Sequence, residues 1–446
     1  MGGVQEILAA GCLTLGLLGA AAGQEPLRLS LQAAQEQAAQ GNALLEAARQ
    51  GVWQAEGARQ QTWAASLPSV SLSEQAQRSN DPLAAFGMRL DQERVTPASF
   101  APATLNRPDA IGNFRSAVEV RQPVFSGGRA LHGRRQAAAG LEAAQQQLGR
   151  GQQDVRLAVA QAYWGLVLAQ ESLQAVRQSL EAARAHEAAA RSRYDNETVP
   201  LSDLLAAQVR VAELRGQELA ADDAVAAAAD QLTLVMGLAP GLPVAPSDTL
   251  TDRAVDQELD ALVQTSLTQR PDLRAAEQQT EAARHGLSAS RAGYVPRLDA
   301  FAQAELNSSQ VAQRQGESWT VGAALTWSVF DGLQREGAVR QAQGRLGQAR
   351  AQQEYLAAQV SRQVAEAWRA ARTARAQVQI ATEAVGQAEE RLRMSELQYR
   401  QEVIVSTDLL DAQTALSQVR LRRLQVLYDL NVGVARLEHA VGQPRP

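Results

Sequence analysis

The chain states one pattern twice, and that constrains its fold more than any other feature. YDNETVPLSDLLAAQ (Tyr194–Gln208) and YRQEVIVSTDLLDAQ (Tyr399–Gln413) stand 205 positions apart and share Tyr, Glu, Asp, Leu, Leu, Ala and Gln at matching places. The same offset relates VFSG at Val124–Gly127 to VFDG at Val329–Gly332, and pairs Gln136 with Gln341, Leu141 with Leu346 and Gly237 with Gly442. Further upstream Pro68 pairs with Pro296 at an offset of 228, so the first unit holds 23 extra residues between these markers. A repeat of this kind is one supersecondary unit used twice. The expected division is a leader over 1–23, a first repeat over 24–248 and a second over 249–446.

Each repeat reads as helix, two strands, a very long helix, a tip and a returning helix. In the first, a proline-free helical stretch from Leu29 stops at Pro68. Val70, Leu72 and Ala76 then alternate with Ser71, Ser73 and Gln75, the two-residue period of a strand with one apolar face. Strands are expected at about 68–78 and 113–125, separated by a loop-like, proline-rich segment. A helix from about Arg129 to Asn196, some 100 Å at 1.5 Å per residue, leads to the tip at 194–208. The second repeat gives strands at about 297–307 and 319–330 and a tip at 399–413. At both tips a pattern break followed by Ser202-Asp203 or Thr407-Asp408 reads as a helix start capped by a short oxygen-bearing side chain.

The helix after the fourth expected strand carries an apolar seam spaced three and four apart, from Val339 to Val360 and, after one four-residue skip, from Val364 to Tyr399, with Gln353 and Ser395 as its polar exceptions. That spacing is coiled-coil-like, and the alanines on it let helices approach closely. Aromatics make up 4% of the chain, sparse for a thick globular core. A net charge of −5 argues against an electrostatic nucleic-acid binder. The apolar run from Ile7 to Gly23, with Ala20–Ala22 before Gln24, reads as a signal peptide cleaved near residues 22–24; lipid attachment at Cys12 is the alternative.

The strands decide between a soluble rod and a membrane assembly. Four amphipathic strands of about ten residues match the length needed to cross a bilayer. Four strands cannot close a barrel, and lipid tolerates no open sheet edge. The chain must therefore oligomerise through its strands, or bury them in a soluble sandwich; three copies would supply twelve strands around an aqueous lumen. Trp319 and Trp327, eight residues apart on the apolar face, suit an interfacial girdle, with a soluble core as the alternative.

The duplicated order of elements, with PVFSGG and VFDG closing the strands, resembles the TolC-like outer membrane efflux proteins over residues 25–442. The fold this implies is mainly α with a small β part. It is a homotrimer whose shared twelve-stranded β-barrel lies in the Gram-negative outer membrane, against lipid, and whose helical tunnel crosses the periplasm. The resemblance further implies a passive exit duct for small molecules, docked to a periplasmic adaptor and an inner-membrane pump. Export of protein for an ATP-driven (ABC) exporter, as in type I secretion, is the close alternative. A periplasmic adaptor or a coiled-coil scaffold is the reading from a different class.

Within that resemblance the tips carry the functional residues. Asp408 and Asp411, one helical turn apart, would form two stacked acidic rings in a threefold assembly, joined by Asp203 from the first repeat. Capping of the helix starts is the structural alternative for Asp203 and Asp408. A closed-state latch is implied between Tyr399 and Asp203, with Tyr194 as the repeat equivalent of the tyrosine. Glu197 and Glu402 stand where the family usually has glycine, and Ile404 where some members carry a basic partner. Val199, Pro200, Leu201, Ser202, Val403, Val405, Ser406 and Thr407 are candidate adaptor contacts. No catalytic, cofactor or metal-binding pattern emerges: His132, His186, His285 and His439 are scattered and read as solvated helix-face residues, and the one cysteine has no partner.

Overall fold

The computed structural model describes residues 27–311, 313–401 and 403–442. The expected leader over 1–23, Cys12 and Glu402 lie outside them. In chain order the elements are β1 (Leu27–Leu29), α1 (Leu31–Gly41), α2 (Ala43–Gln61), β2 (Ser69–Ser79), α3 (Pro82–Asp91), α4 (Pro102–Asn106), β3 (Ile111–Phe125), α5 (Arg129–Asp195), α6 (Leu201–Met236), β4 (Val244–Pro246), α7 (Leu259–Gln269), α8 (Pro271–Arg291), β5 (Arg297–Ser308), β6 (Gly316–Thr326), α9 (Gln334–Arg400) and α10 (Ser406–Val441). The long helices α5 and α9 both run 67 residues, and the return helices α6 and α10 both run 36. The duplication is thus a duplication of structure.

Contacts divide the chain into two compact units, each drawing on both halves of the sequence. Among the described residues, one comprises 27–42, 155–255 and 369–436; the other 43–154, 256–368 and 437–442. Each holds its own copy of the same joint. In the first unit α1 stops at Asn42, a single extended residue whose side-chain amide donates to the Val235 carbonyl near the end of α6 (2.8 Å). In the second, α7 stops at the extended Arg270, whose guanidinium donates to the Ala440 carbonyl near the end of α10 (3.0 Å). Val235 and Ala440 are 205 positions apart, Asn42 and Arg270 228, so both repeat offsets meet in one interaction. A second bond is copied likewise. Tyr163 Oη lies 2.9 Å from the Leu29 carbonyl, and Trp368 Nε1 donates to the Gln257 carbonyl at 2.9 Å.

A buried arginine is costly unless paired. Arg270 is 1% exposed and answers this with Asp272 (2.5 Å) and Gln363 (3.0 Å) besides the Ala440 carbonyl. Burial alone would raise the Asp272 carboxyl; the Arg270 hydrogen bonds and charge outweigh it and hold the group below its ordinary value. Glycine is needed in both joints: Gly442, in the same unit as Arg270, has φ +84° and a Cβ there would sit 2.8 Å from the Arg270 side chain. Gly237, just past α6, has φ +70°, and a Cβ there would sit 2.1 Å from the Gly41 carbonyl oxygen.

The sheet belongs to the second unit and has the order β2-β3-β5-β6, antiparallel throughout. The segment before β3 departs from the expected irregular loop. Asp81 accepts from the Ala84 amide (2.9 Å) and Pro82 occupies the first helical position, so α3 starts with two local signals rather than apolar periodicity. Gln92 then buries its amide against the Gly112 carbonyl and the Asn113 side chain, both 2.8 Å away. Asn113 in turn donates to Asn307 (2.8 Å). This network seats the extra residues of the first hairpin against the strand ends.

Gly237→Ala would combine strain at positive φ with a backbone clash. It is expected to cost about 2 kcal/mol or more, against about 1 kcal/mol for Gly332→Ala, which shares the left-handed backbone but has open space around it. Thermal unfolding midpoints compare the two; equal shifts would remove the joint as the reason for the glycine.

Candidate functional site: the sheet face and the helix tips

Strand register sorts the sheet into an apolar and a polar face. Leu72, Val118, Ala304 and Trp319 form one cross-strand row; Val70, Val120, Ala302 and Val321 form the next row on that face. Between them, pointing the other way, lie Ser71, Glu119, Gln303 and Thr320. The polar face also carries an ion pair between Arg115 and Glu305. On the apolar side Trp319 is 78% and Val321 68% exposed, so no described residue covers the face there. The row beyond Trp319 is mixed, with Glu74, Ser116 and Glu317 beside Leu306. Trp327 lies just past β6, which ends at Thr326 rather than at the expected residue 330; it is exposed and donates from its indole to the Tyr294 carbonyl (3.2 Å). Both outer edges of the sheet, on β2 and β6, are without a strand partner among the described residues.

At the first tip α5 ends in a tight reversal. Thr198 N–H donates to the Arg193 carbonyl (2.9 Å) and Glu197 N–H to the Tyr194 carbonyl (2.8 Å), a Schellman-type closure. Glu197 takes φ +59°, the left-handed position where glycine is easiest. The second tip repeats the outer bond, from Val403 N–H to the Gln398 carbonyl (2.9 Å).

The first return helix departs from the expected side-chain cap. Pro200, extended, is the N-cap of α6, and no side chain caps it; Ser202 is exposed. Asp203 and Asp408 occupy equivalent first-turn positions, their amides donating to the Pro200 (3.1 Å) and Val405 (3.2 Å) carbonyls. Asp408 and Asp411 are both exposed on α10, while Leu409 and Ala412 beside them are buried. Pro200, Leu201, Val403, Val405 and Thr407 are exposed, Val199 half-buried and Ser406 buried.

Tyr399 is half-buried and shares no hydrogen bond with Asp203 among the described residues. Its ring lies 5.7 Å from the His186 ring, with the Arg193 guanidinium 4.8 Å over its face. His186 was read from sequence as solvated. It is 9% exposed, packed where α5 passes α10, with Nε2 3.1 Å from Ser406 Oγ. Burial, and then the Arg193 charge, push its imidazole below the ordinary range, with Asp203 pulling the other way. Tyr194, the repeat equivalent of Tyr399, is exposed.

Comparison with known proteins bears on this arrangement. A family profile described as "Outer membrane efflux protein" matches residues 34–238 and 262–443. Protein CyaE of Bordetella pertussis is 28% identical over 273 residues, 60% of this chain and 58% of that protein, so the chain spans little more than half of that relative. The alkaline protease secretion protein AprF of Pseudomonas aeruginosa is 23% identical over 338 residues, covering 74% of this chain and 70% of AprF. The crystal structure of the outer membrane protein VceC from Vibrio cholerae shares the fold, with a TM-score of 0.77 at 19% identity, over 93% of this chain and 96% of that one. With two profile matches spanning both repeats, the chain belongs to the outer membrane efflux protein family.

Proposed function

We propose that the protein is a passive exit duct in the Gram-negative outer membrane. Three copies pool their strands into one twelve-stranded barrel, and their helical parts line a tunnel whose tips face the periplasm. The observation that supports this best is the uncovered apolar face of a four-stranded sheet with two free edges. Lipid can cover the face, but only neighbouring strands can satisfy the edges. The repeats over 24–248 and 249–446 each supply one hairpin and one tip, and Trp319 and Trp327 mark the membrane interfaces.

The cargo proposed first is small molecules, moved by an inner-membrane pump through a periplasmic adaptor that docks on the exposed tip residues around Pro200–Ser202 and Val405–Thr407. Similarity to AprF favours a second reading, in which the cargo is a secreted protein. Asp408 and Asp411, exposed and with no hydrogen bond to their side-chain carboxylates among the described residues, suit a cation-attracting constriction, with Asp203 beside it. Tyr399, Asp203 and Tyr194 remain the candidates for holding the mouth closed. The Tyr399 ring is held by His186 and Arg193, contacts that a bond from its hydroxyl to Asp203 would add to without releasing the ring.

Val321→Arg would place a charge in the apolar band at a cost of about 2–4 kcal/mol, lowering the yield of membrane-assembled protein, whereas Thr320→Arg on the polar face should assemble normally. Equal yields would place the sheet outside lipid. In planar bilayers the purified protein should conduct, and Asp408→Asn with Asp411→Asn should reduce its preference for cations; unchanged ion selectivity would move the constriction elsewhere. Asp203→Ala or Tyr399→Phe should raise conductance, and no change in either would discard the latch.

A further inference from the structure

The cluster around His186 joins all four helices of the tip, and nothing in the acidic rings or the tyrosine latch accounts for it. His186 comes from α5, Tyr399 from the end of α9 and Ser406 from the start of α10; Asp203, in the first turn of α6, acts on the imidazole through its charge. Ser406 is 1% exposed and opens the return helix two residues before Asp408. The imidazole therefore holds the helix start that presents the acidic pair. Its other contact is the tyrosine ring, whose face is occupied by Arg193. One side chain thus fixes both the tyrosine and the first turn of α10.

We propose that His186 is a positioning residue of the tunnel mouth: as a neutral imidazole it holds Ser406 and Tyr399 in the closed arrangement, and its protonation loosens both. This rests on the duct reading above.

The physical argument runs from the surroundings. Among the charged groups acting on the imidazole, Arg193 from its own helix opposes a second positive charge and Asp203 from α6 favours one; Tyr399 and Ser406 are uncharged. Burial and Arg193 prevail, so the imidazole holds its proton less tightly in this arrangement than a free one would. The arrangement with neutral His186 therefore gains stability as pH rises through the window below the free imidazole value of 6.5, and loses it on acidification. Free carboxylates ionise lower, near pH 4. A conductance step beginning below pH 6.5 and complete before the carboxylates titrate would be separable from theirs.

The test is single-channel conductance of the purified wild-type assembly across that pH range, beside His186→Gln and His186→Ala, with the gel mobility of the unheated assembly as a check on folding. The wild type is expected to rise about twofold or more on acidification. His186→Gln, which keeps a hydrogen-bonding partner for Ser406 but cannot titrate and has no ring against Tyr399, should lose that step and conduct at one pH-independent level, between the wild type at neutral pH and His186→Ala. His186→Ala, lacking both contacts, should be raised at every pH. A step that persists in His186→Gln, or a wild type that conducts without one, would overturn the proposal. A correctly assembled wild type with no conductance would overturn the duct reading, and this proposal with it.

Discussion

Backbone hydrogen bonding at the two edges of one small sheet governs what this protein can be. β2 and β6 each present a row of amides and carbonyls with no partner among the described residues. In water such edges could be tolerated; beside an apolar face meant for lipid they cannot. Closing a sheet on copies of itself removes both edges at once, and the family to which the chain belongs is consistent with that outcome. The proposed trimer follows from the need for partners rather than from any patch selected for docking.

The helical part answers to a different constraint, that of repeating one joint in two places. Asn42 and Arg270 both interrupt a helix with a single extended residue, and both donate a side-chain hydrogen bond to a carbonyl near the end of a return helix. The chemistry differs because the surroundings do. A short amide suffices where Gly237 and Gly41 bring backbone against backbone, whereas the second joint accommodates a long guanidinium and then needs Asp272 to neutralise it. Duplicated architecture with diverged side chains leaves the two tips free to differ, and only the second carries a second acid, Asp411.

The fold class was legible in the sequence because its signals are long or repeated. The 205-residue offset, the seam from Val339 to Tyr399 and the strict alternation around Val321 each extend over enough residues to outweigh local noise. Features that depend on distant partners were not legible. His186 is separated from Tyr399 and Ser406 by more than 200 positions and belongs to no motif, so the sequence presents it as one more residue on a polar helix face. The Ser202-Asp203 pair suggested a side-chain cap, yet Pro200, already extended, takes that position and leaves Ser202 in solvent. Residues 79–112 looked irregular because α3 is short; the Asp81-Pro82 start was the available signal. Gln353, a polar exception on the seam, accepts a hydrogen bond from Thr280 (2.9 Å), a partner no periodicity could reveal.

The most direct test of the central claim is the mass of the detergent-solubilised particle, corrected for bound detergent. A twelve-stranded barrel with an aqueous lumen takes three chains per particle, each contributing four strands. A trimer is the expected result. A stable, detergent-free monomer or dimer would mean that the edges of β2 and β6 are satisfied in some other way, and would contradict the account.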